Sequence, residues 1–217
     1  MARSFLQKNN RKIIGAYIFN LPTRITCPGS TKCCRDICYS KCQEVHYKKV
    51  VPLYRQAMLE AAQSPNFIDL IITTIRLGLL RGDEVYAVRI HESGDFFSQK
   101  YLDAWISIIK AYPSLMFWAY TKSYMLDFSE AVKLPNLVLR YSQDPTTEHY
   151  PKQKMSRAIV ATTKPKGYIT CPSSLSKGHA IQCVKDCRIC LDTKKKIHFP
   201  PHGIKVKLFA QYERGVV

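Results

Sequence analysis

The sequence predicts an α/β fold, a complete or partial (β/α) barrel with cysteine-rich metal-binding segments at both ends, and three observations carry that expectation. Short apolar runs alternate with helical stretches through the middle of the chain, polar residues gather directly behind those runs, and nine cysteines fall into two terminal groups. Strands separated by helices of this length pair in parallel, and five or six such units make a complete or partial barrel. The 217 residues read as one domain, 1–217, with an N-terminal cysteine segment over 13–44, central β/α units over 84–171 and a C-terminal cysteine segment over 171–191.

The elements follow in order. The apolar run 13–19 reads as a strand closed by the turn-like Asn20-Leu21-Pro22. Val50, Leu53, Met58, Leu59 and Ala62 keep helical spacing over 45–62, with a restart allowed at Pro52; Ser64-Pro65 then supplies a cap and a first-turn proline for a helix over 66–80. The stretch 84–90 is a strand, and Ser98 caps a helix over 99–112 with Leu102, Trp105, Ile106 and Ile109 inward. Pro113-Ser114 breaks it. Strands are expected at 115–120, 137–141, 157–162 and 166–171, with a short helix near 128–134.

Composition bounds the function. Hydrophobic residues at 46% and charged residues at 23% belong to a folded soluble protein, and no run reaches the roughly 18 uncharged apolar residues of a membrane span. The first twelve residues carry charge with no apolar segment behind it, so a secretory signal is not expected and an intracellular location is, the host cytoplasm if the source is viral. The net charge of +17 is uneven: residues 1–60 hold 11 Lys/Arg against 3 Asp/Glu, 151–217 hold 14 against 3, and 61–150 hold 8 against 10. Basic ends around a neutral-to-acidic centre suit a nucleic-acid-binding protein with a separate chemical site.

The cysteines have metal-ligand spacing. Cys183-x3-Cys187-x2-Cys190 with Cys171 upstream allows four thiolates to wrap a 4Fe-4S cubane, although four cysteines also suit tetrahedral zinc. At the other end Cys34-x3-Cys38-x3-Cys42 brings three sulfurs together, and Cys27, beside the turn at Pro28-Gly29, can return to the same site. Cys33 is left out because its side chain should point away from that of Cys34. One or two 4Fe-4S clusters are expected, with zinc an option at one site. The C-x3-C-x2-C spacing is shared with radical-SAM enzymes, but it stands here at the far end of the chain with a fourth cysteine available; S-adenosylmethionine is disfavoured, not excluded.

In α/β folds ligands bind at the carboxyl ends of strands. That rule collects His91, Glu92, Asp95, Lys122 and Asp144 as catalytic candidates, since they join acid-base groups with a cation. Nucleic-acid contacts are assigned to Arg89, Lys122, Lys194, Lys195 and Lys196. The same rim would hold the first cysteine group.

Seven motifs in order, Asn20-Leu21-Pro22, Thr26-Cys27-Pro28-Gly29, Cys34-x3-Cys38-Tyr39, the run Arg89-Ile90-His91-Glu92-Ser93-Gly94-Asp95-Phe96, Tyr101-x3-Trp105, Ala119-Tyr120-Thr121-Lys122-Ser123 and the C-terminal cysteines, resemble the phage gene-product-88 family. The likeness spans about 13–191. It implies a phage or mobile-element origin and a distant likeness to radical-SAM barrels, and it transfers no activity. Three functions follow: an iron-sulfur protein that binds and processes nucleic acid at the strand ends, a noncatalytic nucleic-acid-binding module stapled by metal clusters, or a radical-SAM-like redox enzyme on a small molecule. Oligomeric state is not legible.

Overall fold

The computed structural model describes residues 4–8, 10, 13–175, 181–202 and 205–217. Its strands are β1 (Gln7–Lys8), β2 (Ala16–Phe19), β3 (Ala87–Ile90), β4 (Met116–Thr121), β5 (Leu137–Gln143), β6 (Ser156–Val160), β7 (Tyr168–Thr170) and β8 (Lys196–Phe199). The helices are α1 (Lys32–Ile37), α2 (Tyr39–His46), α3 (Val51–Gln63), α4 (Phe67–Leu80), α5 (Gln99–Ala111), α6 (Pro172–Leu175) and α7 (Val206–Glu213). All eight strands join one mixed sheet in the order β1-β2-β3-β4-β5-β6-β8-β7, and only β1 runs antiparallel to its neighbour.

The sheet is open, with β1 and β7 at its edges, and this corrects the barrel expectation. The physical reason lies in the connections. Regular strand-helix alternation stops after β4, and β5 is followed by β6 with no helix between them. β8 then inserts beside β6 and leaves β7 at the edge, so the last strands do not reach back to pair with β1. Sequence reading missed two strands, the two-residue β1 and β8, the latter because Lys194-Lys195-Lys196 masks a segment in which Ile197 and His198 are buried.

Side-chain alternation divides the sheet into two unlike faces. Tyr17, Phe19, Val88, Ile90, Phe117, Ala119, Leu137 and Leu139 point to one side, against Met58, Leu59, Phe67, Ile71, Ile75, Leu102, Trp105 and Ile109 of α3, α4 and α5. Helix α4 packs there through Phe67, Ile71, Ile75 and Gly78, a stripe of helical period. Burying each of its large apolar side chains is worth roughly 2 kcal/mol. Gly78 is required because a Cβ would stand 1.7 Å from the Tyr17 hydroxyl. Ser98 caps α5 by accepting from the Tyr101 N–H at 3.3 Å.

The opposite face carries Ala16, Ile18, Ala87, Trp118 and Val138, and a cysteine-bearing segment covers it in place of helices, through Cys183, Val184, Cys190 and Leu191. A third small core joins Cys33 to Phe209 and Tyr212 of α7. No helix among the described residues is long and apolar enough to cross a membrane.

Candidate functional site

The carboxyl ends of β2 to β6 and β8 open into a cavity of about 460 Å³. Its walls include Cys27, Cys34 and Cys38 from the N-terminal segment and Cys171, Cys183 and Cys190 from the C-terminal one. Between them stand Arg89, His91, Glu92, Asp95, Lys122 and Asp144. The five catalytic candidates therefore share one wall, and six cysteines from opposite ends of the chain meet around the same space.

Local hydrogen bonds explain how the loops hold this shape. Asn20 Oδ1 accepts from the N–H groups of Glu92 and Ser93, each at 3.0 Å, the Ser93 hydroxyl donates to Leu21 O at 2.7 Å, and the Asp95 N–H donates to Thr26 O at 3.0 Å. These bonds bind the turn that carries Cys27 to the turn after β3. Asp95 then reaches onward: its Oδ1 accepts from Phe96 N–H and its Oδ2 from Lys122 N–H, both at 2.7 Å. Gly29 lies so close to the β4 turn that a Cβ would stand 1.9 Å from Lys122 O. Gly94, at φ +84°, would place a Cβ 2.5 Å from that of Leu21. Three consecutive strand-end turns thus form one knitted rim.

The acid-base candidates are largely committed to this scaffold. Burial pushes the Asp95 carboxyl up to about 6 against the opposing pull of its Lys122 and Phe96 N–H bonds. Lys122 Nζ lies 2.7 Å from Asp144 Oδ2 and donates to Ser142 O at 2.8 Å, and Thr31 donates to Asp144 at 2.6 Å. Burial opposes ionisation of Asp144, yet the Lys122 charge and these hydrogen bonds hold its carboxyl below the usual range. The Glu92 side chain accepts from Asn10 at 2.9 Å. His91 has φ +65°, and its Nε2 lies 2.8 Å from the Tyr101 hydroxyl. Burial, reinforced by the nearby Arg89 charge, pushes this imidazole down to about 3, so it is neutral. Its Nδ1 has no partner among the described residues.

Each cysteine group is electrostatically connected. Cys34 and Cys38 act on Cys27, whose thiol is pushed up to about 12 by burial first and by Asp95 second. Burial likewise pushes Cys34 up to about 11. On the other side burial pushes Cys183 up to about 11, with Cys190, Cys171 and Cys187 all within reach of it. The Tyr120 hydroxyl donates to Cys190 Sγ at 3.0 Å. Arg140 of β5, fully buried, donates to Cys190 O at 2.6 Å, Ile189 O at 3.2 Å, Lys195 O at 3.3 Å, and Asp192 O. Sequence reading overlooked Arg140. Its signal is a single cation inside the apolar strand Leu-Val-Leu-Arg-Tyr, where only a dense set of acceptors can hold it.

Other expected site residues lie elsewhere. Cys42 is exposed on α2, where its thiol donates to Cys38 O at 3.6 Å, and the cavity lining does not include it. Cys38 stands at the N-cap of α2, and Cys42, a full turn farther along, lies beyond the cavity wall that Cys38, Tyr39 and Ser40 form. Cys33 is buried beneath α7. Lys194, Lys195 and Lys196 precede or begin β8, which runs parallel to β6, so they sit at the amino ends of the strands, opposite the cavity. Arg89 and Lys122 are at the cavity; the lysine run is not with them. Among the described residues no three His, Cys, Asp or Glu side chains stand close enough to hold a single metal ion.

Fold and site together define a class: an open-sheet α/β protein whose strand ends enclose a cavity lined by two cysteine groups. The chain belongs to the Gene product 88 family, whose model matches residues 2–211. It is similar to the Gene 88 protein of Mycobacterium phage L5, 28% identical over 194 residues, covering 80% of this chain and 81% of that one. The Gene 88 protein of Mycobacterium phage D29 is 28% identical over 198 residues, with 80% and 81% covered. No solved structure matches. Neither this family nor the open sheet supports the relation to radical-SAM barrels.

Proposed function

We propose that the protein is an iron-sulfur protein of phage type that binds nucleic acid and processes it at the cavity on the strand ends. The observation that carries this reading is the meeting of six cysteines, three from each end of the chain, around one space. Burial keeps the thiols of Cys27, Cys34 and Cys183 neutral, and a metal's positive charge is what would ionise them. Thiolates on a cubane bind different irons and stand farther apart than the ligands of one ion, which suits groups too spread for a single metal. Cys171, Cys183, Cys187 and Cys190 would hold a four-thiolate cluster. Cys27, Cys34 and Cys38 would hold a second, and three thiolates leave its fourth iron to a ligand from the cavity.

The chain's own residues would prepare that chemistry. Tyr120 and Arg140 orient the Cys190 loop, and Asp95 fixes the Cys27 turn against β4. The noncatalytic alternative gains support from the same bonds, because the Asp95 and Asp144 carboxylates already serve the scaffold.

Anaerobic purification with iron and sulfide counts tests the reading. Cys34→Ala and Cys190→Ala should each lose about half the iron and the matching part of a broad absorption near about 400 nm, while Cys42→Ala retains both. Stoichiometric zinc without sulfide, or iron loss in Cys42→Ala equal to that in Cys34→Ala, would overturn the assignment.

A further inference from the structure

Arg89 has no role in the scaffold just described. It lies on β3, flanked on both sides by the parallel strands β2 and β4, and lines the cavity. Alternation places it on the face covered by the cysteine segment, along with Trp118 and Tyr120. Its guanidinium carbon sits 5.8 Å from the Tyr120 ring centroid, and its Nε donates a long 3.4 Å bond to His91 O. No carboxylate pairs with it among the described residues, and its two terminal nitrogens donate to none of them. Glu92 is near enough to act on it electrostatically but forms no ion pair. Two lysines also line the cavity: Lys122 is by contrast neutralised by Asp144, and Lys205 donates to Asp36 O.

A half-buried guanidinium held in place by a ring and a carbonyl, with its fork free, is arranged to receive a planar or tetrahedral oxyanion through two parallel N–H donors. The volume of about 460 Å³ falls among small-molecule sites and admits one small organic group; a duplex does not fit. Tyr120, Trp118 and Phe199 supply apolar wall beside the charge. We propose that Arg89 is the anchor of a ligand subsite in this cavity, and that it binds the single phosphate or carboxylate of a small ligand between the two cysteine groups. The inference rests on the cavity being the reaction site, as proposed above, and does not depend on which metal the cysteines hold.

The two sources of such an anion, a nucleotide phosphate and a small carboxylate, can be told apart by direct titration. Calorimetry on the anaerobically purified full chain would use inorganic phosphate, adenosine 5′-monophosphate and acetate as probes, with Arg89→Met, Arg89→Lys and the distant surface variant Lys133→Met compared. At least one probe should bind, and binding should weaken at least tenfold in Arg89→Met and measurably in Arg89→Lys, which keeps the charge but loses the fork. Lys133→Met should match the unaltered protein. Preference for the mononucleotide over acetate would assign the phosphate source, and the reverse the carboxylate source. Iron and sulfide counts on the same samples separate the two readings: Arg89-dependent binding to protein lacking iron sustains the subsite and sinks the cluster assignment. Absence of binding by all three probes, or equal affinity in Arg89→Met and Lys133→Met, overturns the subsite. Should Arg89→Met fail to fold, Arg89→Lys with unchanged affinity does so equally.

Discussion

His91 illustrates how a single residue divides between structure and chemistry. Its left-handed backbone follows the last residue of β3, and its ring meets Phe96 edge-on and Tyr101 at a tilt, with centroids at 4.8 and 5.6 Å. Burial depresses its folded pKa to about 3 from the ordinary 6.5, so between those values the unfolded chain binds the proton more readily. The stability this residue contributes is therefore complete above about pH 6.5 and lost as pH falls toward 3, with a slope of up to about 1.4 kcal/mol per pH unit. His91→Asn, which tolerates the left-handed backbone, should flatten the acid limb of a denaturation profile. Identical acid limbs in the two proteins would show that the histidine is not buried neutral.

At the scale of elements, the rim depends on turns that touch through backbone. The turn with Cys27 and Gly29 packs on the turn after β4 without room for a methyl group. Gly29→Ala should destabilise the chain by about 1–3 kcal/mol, since its neighbour is a carbonyl that cannot rotate aside. The damage should centre on the N-terminal cysteines and spare the C-terminal segment. Thermal melts and the thiol reactivity of the two cysteine groups would report both, and a Gly29→Ala protein as stable as the parent would refute the close approach. The C-terminal cysteine segment is held differently, by the fork of Arg140 on carbonyls and by apolar contact of Val184 with the sheet. The two groups should therefore fail independently.

Across the whole molecule, the excess positive charge belongs to both ends of the chain, while residues 61–150 bring most of the acids, on helices and turns and none on the strands. The fold separates the cations in space as well: the lysines of 194–196 lie at the amino ends of the strands, whereas Arg89 and Lys122 stand with Asp95 and Asp144 at the carboxyl ends. If nucleic acid binds the basic surface, its affinity should fall by about tenfold or more between about 50 and 200 mM salt, through release of counterions. Binding measured by fluorescence anisotropy on an oligonucleotide tests this, and constant affinity over that range would remove the electrostatic account. Substituting Lys194, Lys195 and Lys196 together with alanine should leave mononucleotide binding in the cavity unchanged, because that surface is on the opposite end of the sheet.

The sequence by itself determined the α/β class, the positions of β2 through β7 and the helices α4 and α5, because apolar runs, caps and proline breaks are local signals. It also collected His91, Glu92, Asp95, Lys122 and Asp144 on one rim, since that follows from parallel strands ending in polar turns. Tertiary structure alone decided that the sheet stays open, because closure depends on where β8 inserts, and neither β8 nor the two-residue edge strand β1 leaves a clear local pattern. It alone placed Cys27, Cys34, Cys38, Cys171, Cys183 and Cys190 around one cavity and turned Cys42 outward. Spacing brings cysteines together within a segment, whereas the meeting of two segments depends on which face of the sheet each one covers. Arg140 and Arg89 show the same division: both are cations in apolar strands, and only the packed acceptors around one and the free fork of the other distinguish a structural arginine from an anchor for an anion.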